Sequence, residues 1–373
     1  MLDETAPSGS GPLSGIIVVE LGGRGAVPFV AMLLADMGAS VIRVRRPGDN
    51  SASRLVTDRG KHVLDLDLTR SAARTEVNAL ATKSDVIIEG FRPGTAERLG
   101  VGPSALLAIN PRLVYARMTG WGQDGPLAQT AGHDINFIGL TGALHAMGQP
   151  TVPPAPPLSL LGDYGGGALA LISGILAALL NRCHGGQGQI VDASVLDGTI
   201  TALAGVLGRR AAGVWSDRRG GNEIDGSAPY YTVYACADDR YVAVGALEAR
   251  RRSALLDGLG FATDDPVRDG IHDPRHHELA RQILADRFRT RARDEWIAIF
   301  ESADACVTPV LSLDEAIEHP HNRFRSAFLT DAGATQPAPS PRFSSTPSGT
   351  RQRTTRKLLS FLDVSGVDGT TDP

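Results

Sequence analysis

The chain has 373 residues, 42% hydrophobic and 21% charged, with a formal net charge of -4 and an isoelectric point near 6.1. That length supports two or three domains with a sizeable core, and the charge balance excludes a general electrostatic drive toward nucleic acid or an anionic membrane. Three cysteines, Cys183, Cys236 and Cys306, are too few and too far apart for a disulfide framework or a zinc pattern, so a reducing compartment and no metal are expected. The opening MLDETAPSGSGPLSG is polar and acidic, unlike a signal peptide, and the closing VDGTTDP carries no lipidation or peroxisomal address; a cytoplasmic protein is expected. The longest apolar run, 168–180, is too short to span a bilayer.

Residues 1–12 read as a flexible leader. The segment GIIVVELGGRGAVPFVAMLLADMGASVIRVRRP then predicts a β-branched strand over 15–21, a turn on Gly22, Gly23 and Gly25, an apolar helix over 28–37 and a second strand over 40–44. Strand, helix and strand in that order make a βαβ unit and imply a parallel sheet. The alternation continues with a strand over 62–68, a helix over 69–82, a strand over 85–89, a turn at Arg92-Pro93-Gly94 with a short helix to Leu99, and a strand over 113–119. A glycine-rich stretch leads to a helix from about 133 to 147. Prolines make 149–157 an extended linker, because proline fixes φ and lacks a donor. Gly162–Gly167 opens an apolar helix over 168–182, followed by a strand over 189–194 and a helix over 196–207.

The texture then changes. Residues 209–228 are polar and glycine-rich and read as a linker between domains. Residues 229–248, PYYTVYACADDRYVAVGALE, predict an antiparallel hairpin turning at Asp238-Asp239, with helical and polar segments to about 327. An irregular stretch over 332–350 precedes a last helix candidate, 355–362. The expected organisation is a large α/β domain over 13–208, a smaller α+β domain over 229–327 and a C-terminal segment over 328–373.

Three glycine-bearing clusters carry chemistry. Gly23-Arg24-Gly25-Ala26-Val27-Pro28 begins as a dinucleotide fingerprint but has proline where the third glycine belongs. The second strand ends in Arg43-Val44-Arg45-Arg46 instead of the acid that would take a ribose hydroxyl. Arginine forks suit phosphate, so NAD is disfavoured and an adenosine with an extra phosphate, as in NADP or coenzyme A, fits better. Equally, the glycines serve to turn the chain and the arginines are solvated strand-end charge. In Ala131-Gly132-His133-Asp134-Ile135-Asn136-Phe137, His133 falls at a helix start, where outward N–H groups favour an anion and a neutral imidazole, suiting a base; it is equally a plain polar helix-start residue. In Gly162-Asp163-Tyr164-Gly165-Gly166-Gly167, Asp163 is either an N-cap or a catalytic carboxylate with backbone kept close to a substrate. Glu248 ends a buried-looking strand and is otherwise an ordinary helix-start acid. His276/His277 and His319/His321 lack a ligand face and read as surface.

Taken together, GPLSGIIVVELGG, DMGASVIRVRRP, DVIIEGFRPGTAERLGVG, LVYARMTGWGQDGP, AGHDINF, PPLSLLGDYGGG and GQIVDASVLDG resemble the family III coenzyme A transferase (CaiB/BaiF) superfamily. Within it they are most similar to the branch that racemises acyl-CoA thioesters at C2. The resemblance runs from about residue 11 to 345. It implies a Rossmann-like large domain completed by the C-terminal segment, a smaller domain, and an interlocked homodimer with active sites between the large domain of one copy and the small domain of the other.

For the chemistry, the resemblance implies inversion of 2-methylacyl-CoA thioesters by two-base proton transfer through an enolate, with His133 serving the S-configured and Asp163 the R-configured substrate. Glu248 is implied to orient the histidine. The amide of Asp134, at the helix start, is the expected donor to the enolate oxygen. Coenzyme A, part of the substrate rather than a prosthetic group, is implied to contact Arg46, Leu66, Asp67, Leu68, Thr69, Glu89, Gly90, Arg92 and Gly132; Phe137 and Tyr231 would line the acyl pocket. Thr69 stands where relatives often carry lysine, and Phe137 where a close racemase pattern has tyrosine. The alternative is a CoA-transferase using Asp163 as nucleophile through acyl-anhydride intermediates. No nucleic-acid or membrane partner is expected.

Overall fold

The computed structural model describes residues 11–49, 55–331 and 333–350. They fall into two compact units: the first holds residues up to 141, 157–203 and from 329 onward, the second 142–156 and 204–328. Residues 142–156, with the start of the proline stretch, and the 209–228 segment thus group with the second unit. The last helix candidate, 355–362, and most of the leader lie outside the described residues.

The first unit is a six-stranded parallel sheet. Its strands are β1 (Ile17–Leu21), β2 (Ser40–Arg45), β3 (Lys61–Asp65), β4 (Val86–Glu89), β5 (Val114–Thr119) and β6 (Gln189–Ser194), in the order β3-β2-β1-β4-β5-β6. The β-branched runs of the four inner strands, β2, β1, β4 and β5, are buried on both faces, as parallel strands between helices must be, whereas the edge strand β6 is mostly exposed. Val18, Val41, Val86, Ile88, Val114 and Ala116 pack with α1 (Ala26–Asp36) on one face. The alternate residues Val19, Leu21, Ile42, Ile87 and Tyr115 pack with α2 (Ser71–Lys83) on the other. Between β4 and β5 lie α3 (Thr95–Arg98) and α4 (Pro103–Ile109); the latter begins with proline at its first position, a helix start the sequence reading passed over. The strand expected over 62–68 stops at Asp65, because Asp67 folds back to accept from the Thr69 amide (3.1 Å) and hydroxyl (2.7 Å).

Two expected helices are broken. The 133–147 helix is α5 (Asp134–Gly139) and, in the second unit, α6 (Ala143–Ala146), separated where Gly142 takes φ 85°. The 196–207 helix divides at Leu203 into α8 (Val195–Ala202) and α9 (Ala204–Ala211). Between them, Gly162–Gly167 is no mere lead-in. Leu160–Ala168 forms a π-helical segment that runs into α7 (Leu169–Cys183). A side chain on Gly166 would collide with Thr199 of α8, and one on Gly167 with Met118 of β5, so the glycines admit that close packing. The continuous 24-residue helix Leu160–Cys183 is long and apolar enough to cross a membrane by length and composition, which the 168–180 run alone was not. Leu171, Ile172, Ile175, Ala178 and Leu179 bury its inner face in the core of the first unit.

In the second unit β7 (Tyr231–Ala235) and β8 (Tyr241–Gly245) form the expected hairpin, with Asp239 at φ 58° in its turn. A third antiparallel strand, β9 (Val307–Val310), pairs with β8. The helices α10 (Ala249–Gly258), α11 (Val267–Gly270), α12 (His277–Phe288) and α13 (Arg293–Phe300) supply its core. His277 is not a plain surface residue: its ring packs edge-on against Tyr230 (5.6 Å), and burial holds its pKa below the ordinary histidine value.

Candidate functional site

In a doubly wound parallel sheet, ligands bind outside the carboxyl ends of the strands where the winding reverses. Here that point lies between β1 and β4. The loops leaving both strands line a cleft of about 1020 Å³ within the first unit, together with the ends of β2 and β5, the 128–137 stretch and Asp163. Its described lining residues all belong to the first unit.

The glycine turn after β1 sets the floor. Gly25 has φ 59°, a left-handed conformation, and a Cβ there would lie 2.5 Å from Oδ2 of Asp163. Glycine at this position therefore serves both the turn and the approach of the carboxylate. Asp163 is half-buried in the π-helical segment, not at its N-cap, which is Ser159. The segment is pinned from the side by Asp134, whose buried carboxylate Oδ2 accepts the Asp163 backbone N–H at 2.6 Å. A side chain on Gly162 would overlap that same oxygen. Burial, and then the Asp134 charge, push the Asp163 carboxyl up to about 6, while His133 draws it down.

His133 is exposed, lines the same cleft and occupies the N-cap of α5 in an extended conformation. Its carbonyl accepts from Asn136 N–H (2.8 Å), and its own amide donates to Asn136 Oδ1 (3.1 Å). The Asp134 amide, first in the helix, has no protein acceptor among the described residues. Phe137 is buried, with Trp121 edge-on to it at 4.7 Å; Trp121 also donates to Thr130 O (3.1 Å), steadying the 121–133 wall. Gly132 lies close beneath, since a Cβ there would come 2.6 Å from Phe137.

The other expected positions divide. Arg46, Gly90 and Arg92 line the cleft, and the two arginines are exposed. Glu89 is buried beneath it, committed to Arg117 (2.8 Å) and the Phe91 amide (2.7 Å), and burial raises its pKa. Leu66 is in the core, and Asp67 and Thr69 bond each other in the turn after β3; with Leu68 they lie outside the lining. Glu248, the N-cap of α10, and Tyr231, at the start of β7, belong to the second unit. Phe91, inside the turn from Glu89 to Arg92 implied to contact coenzyme A, lines the cleft, as do Arg24 and Trp121, which were not singled out from sequence. Arg24 had a signal: it stands between the two glycines of the incomplete fingerprint.

Behind the cleft lies a buried ionic cluster. Lys61 Nζ donates to Glu20 Oε2 (2.6 Å) and Pro28 O (2.9 Å), and Arg43 pairs with Asp58 and, at 3.4 Å, with Asp49. Arg45 makes a bidentate bond to Asp65 (2.6 and 2.7 Å). All three strand-end arginines line the cleft, but Arg43 and Arg45 are paired to carboxylates within the fold, whereas Arg46 is exposed there.

The family profile of CoA-transferase family III matches residues 13–357. The chain is 42% identical to the alpha-methylacyl-CoA racemase of Mus musculus over 336 residues, 90% of this chain and 87% of that protein. It is likewise 42% identical to the alpha-methylacyl-CoA racemase of Homo sapiens over 338 residues, with the same coverages. A crystal structure of a CaiB/BaiF family protein from Brucella suis superposes with a TM-score of 0.80 at 24% identity, covering 95% of this chain and 100% of the other, a likeness of fold.

Proposed function

Since the chain belongs to CoA-transferase family III, we propose that it inverts the C2 stereocentre of 2-methylacyl-CoA thioesters. The observation that carries this reading is the meeting of His133 and Asp163, 30 positions apart in sequence, in one cleft beside the Asp134 amide. The identity with the mammalian racemases supports it.

Inversion next to a thioester carbonyl needs a proton taken from one face and returned to the other. His133 and Asp163 flank the carbon, each acting as base in one direction and, once protonated, as acid in the reverse. An ordinary surface carboxylate is a poor acid near neutrality. One raised to about 6 serves both roles. The Asp134 amide stabilises the enolate oxygen; a donor of this kind is typically worth roughly 3–4 kcal/mol. Arg46 and Arg92 take the coenzyme A phosphates, whose binding positions the acyl group. The scheme uses side chains and one backbone amide of the chain itself and calls for no prosthetic group.

We also propose a homodimer in which the second unit of one copy brings Glu248 and Tyr231 to the cleft of the other. Large apolar side chains left exposed in the first unit, among them Leu140, Leu158, Leu160, Leu169 and Leu180, support it. Co-expressing His133→Ala with Glu248→Ala tests it: hybrid dimers recover activity at one of the two sites, and no recovery would count against shared sites.

The defining experiment is exchange of the C2 proton of a 2-methylacyl-CoA in deuterated water without any second substrate. Exchange with racemisation is expected. If no label enters, CoA passes to an added acceptor acid and hydroxylamine traps an acyl group on Asp163, the chain is a transferase instead.

A further inference from the structure

The cleft holds three exposed arginines, and the function proposed above assigns two of them to coenzyme A. Arg46 lies beyond the end of β2 and Arg92 in the turn after β4, while Arg24 sits in the glycine turn itself. Among the described residues no carboxylate pairs with Arg24. Its neighbour Gly25 packs directly on the Asp163 carboxylate. Consecutive Cα atoms are about 3.8 Å apart, so the Arg24 backbone lies within roughly 8 Å of the reacting carboxyl. The charges acting on Asp163 are those of Asp134 and His133, so the guanidinium is not its counter-ion.

Position separates the two anions this cation could meet. The pantetheine arm is about as long as four or five extended residues, holding the diphosphate roughly 15 Å from the sulfur. An arginine one residue from the floor of the reaction site is at the acyl end of that arm. An alkyl chain laid over it would strip water from a charge and return nothing. A carboxylate would return a bidentate, charge-assisted pair.

We propose that Arg24 is a specificity-determining residue that binds a carboxylate carried by the acyl group, so that the preferred substrates are monothioesters of 2-methyl dicarboxylic acids. This rests on the racemase reading and narrows its substrate class.

The test uses the full-length enzyme with two thioesters that differ only at C6, 2-methylhexanoyl-CoA (a methyl) and 2-methyladipyl-CoA linked through C1 (a carboxylate). C2 deuterium exchange and equilibrium binding are measured for both. The wild type is expected to favour the carboxylated substrate by ten- to hundredfold in kcat/KM. Arg24→Met removes that preference while leaving 2-methylhexanoyl-CoA turnover within a few fold, and Arg24→Lys keeps part of it. Equal losses on both substrates overturn the proposal. If those losses also vanish with the phosphate-free pantetheine thioesters, Arg24 binds the diphosphate instead. Exchange without any preference for the carboxylate defeats this inference alone. Exchange of neither substrate defeats the racemase reading, and the binding measurement still reports whether Arg24 recognises the carboxylate.

Discussion

The two units of this chain bury different things. The first buries aliphatic side chains on both faces of a parallel sheet and, among them, charge: Glu20, Lys61 and Arg43 across β1, β3 and β2 with Asp58, and Asp36 with Arg59. The second is built on aromatic packing. Tyr234 stacks on Phe288 (4.9 Å), Phe288 meets Trp296 edge-on (5.4 Å), and Trp296 stacks on Phe300 (6.1 Å); its buried Arg293 pairs with the half-exposed Glu315 (2.9 Å), and other ion pairs, such as Arg250–Asp304, lie on the surface. Buried ion pairs are weak devices for stability but strong ones for fixing geometry. The unit whose pairs are buried on both sides is the one that lines the cleft where His133 and Asp163 meet.

The largest effect that would sharpen this contrast is catalytic. Asp163→Asn keeps the shape of the π-helical segment and removes its base. Exchange and racemisation should fall by roughly 10²–10⁴-fold, with the dissociation constant of a CoA thioester nearly unchanged. A fall in binding of similar size would mean that Asp163 only shapes the cleft.

Next comes the buried charge. Lys61→Ala leaves Glu20 without its short partner and should destabilise the protein by about 3–5 kcal/mol in denaturant unfolding. The double change Glu20→Met with Lys61→Met should recover part of that loss, since a buried pair is replaced by apolar volume. A single-mutant effect no larger than that of an exposed pair would erase the distinction drawn between the units.

A smaller effect is the pH profile. In the direction where Asp163 is the base it must be ionised, so kcat/KM should fall as pH drops through about 6. Asp134→Asn keeps an oxygen for the Asp163 amide but removes the charge that raises its neighbour. The acidic limb should therefore move to lower pH, whereas a purely structural role would lower activity without moving the limb. The smallest expected effect is Arg250→Ala in the second unit, whose pair with Asp304 is exposed on both sides. The melting temperature should stay within about 2 °C of wild type.

Much of the first unit could be read from local pattern, because β-branched runs separated by glycine turns and apolar helices leave few arrangements. Errors arose where backbone conformation depends on a distant neighbour. Gly162–Gly167 looked like the preface to a helix; it is a π-helical segment because α8 packs against its glycines. Glu89, in a motif implied to contact coenzyme A, is held below the cleft by Arg117, a residue of another strand. Arg24 went unremarked because an arginine between glycines looks like solvated charge until the loop is seen lining a cavity.

By itself the amino-acid order determined the parallel α/β class and the hairpin of the second unit, which rest on short-range periodicity, and offered His133 and Asp163 as side chains able to carry protons; their pairing came from the family resemblance. Only the tertiary structure decided that these two share one cleft, that Asp134 pins and repels Asp163, and that of the arginines lining that cleft Arg45 is tied to Asp65 while Arg46 is exposed. Burial and electrostatic coupling are properties of distance in space, and sequence separation does not encode them.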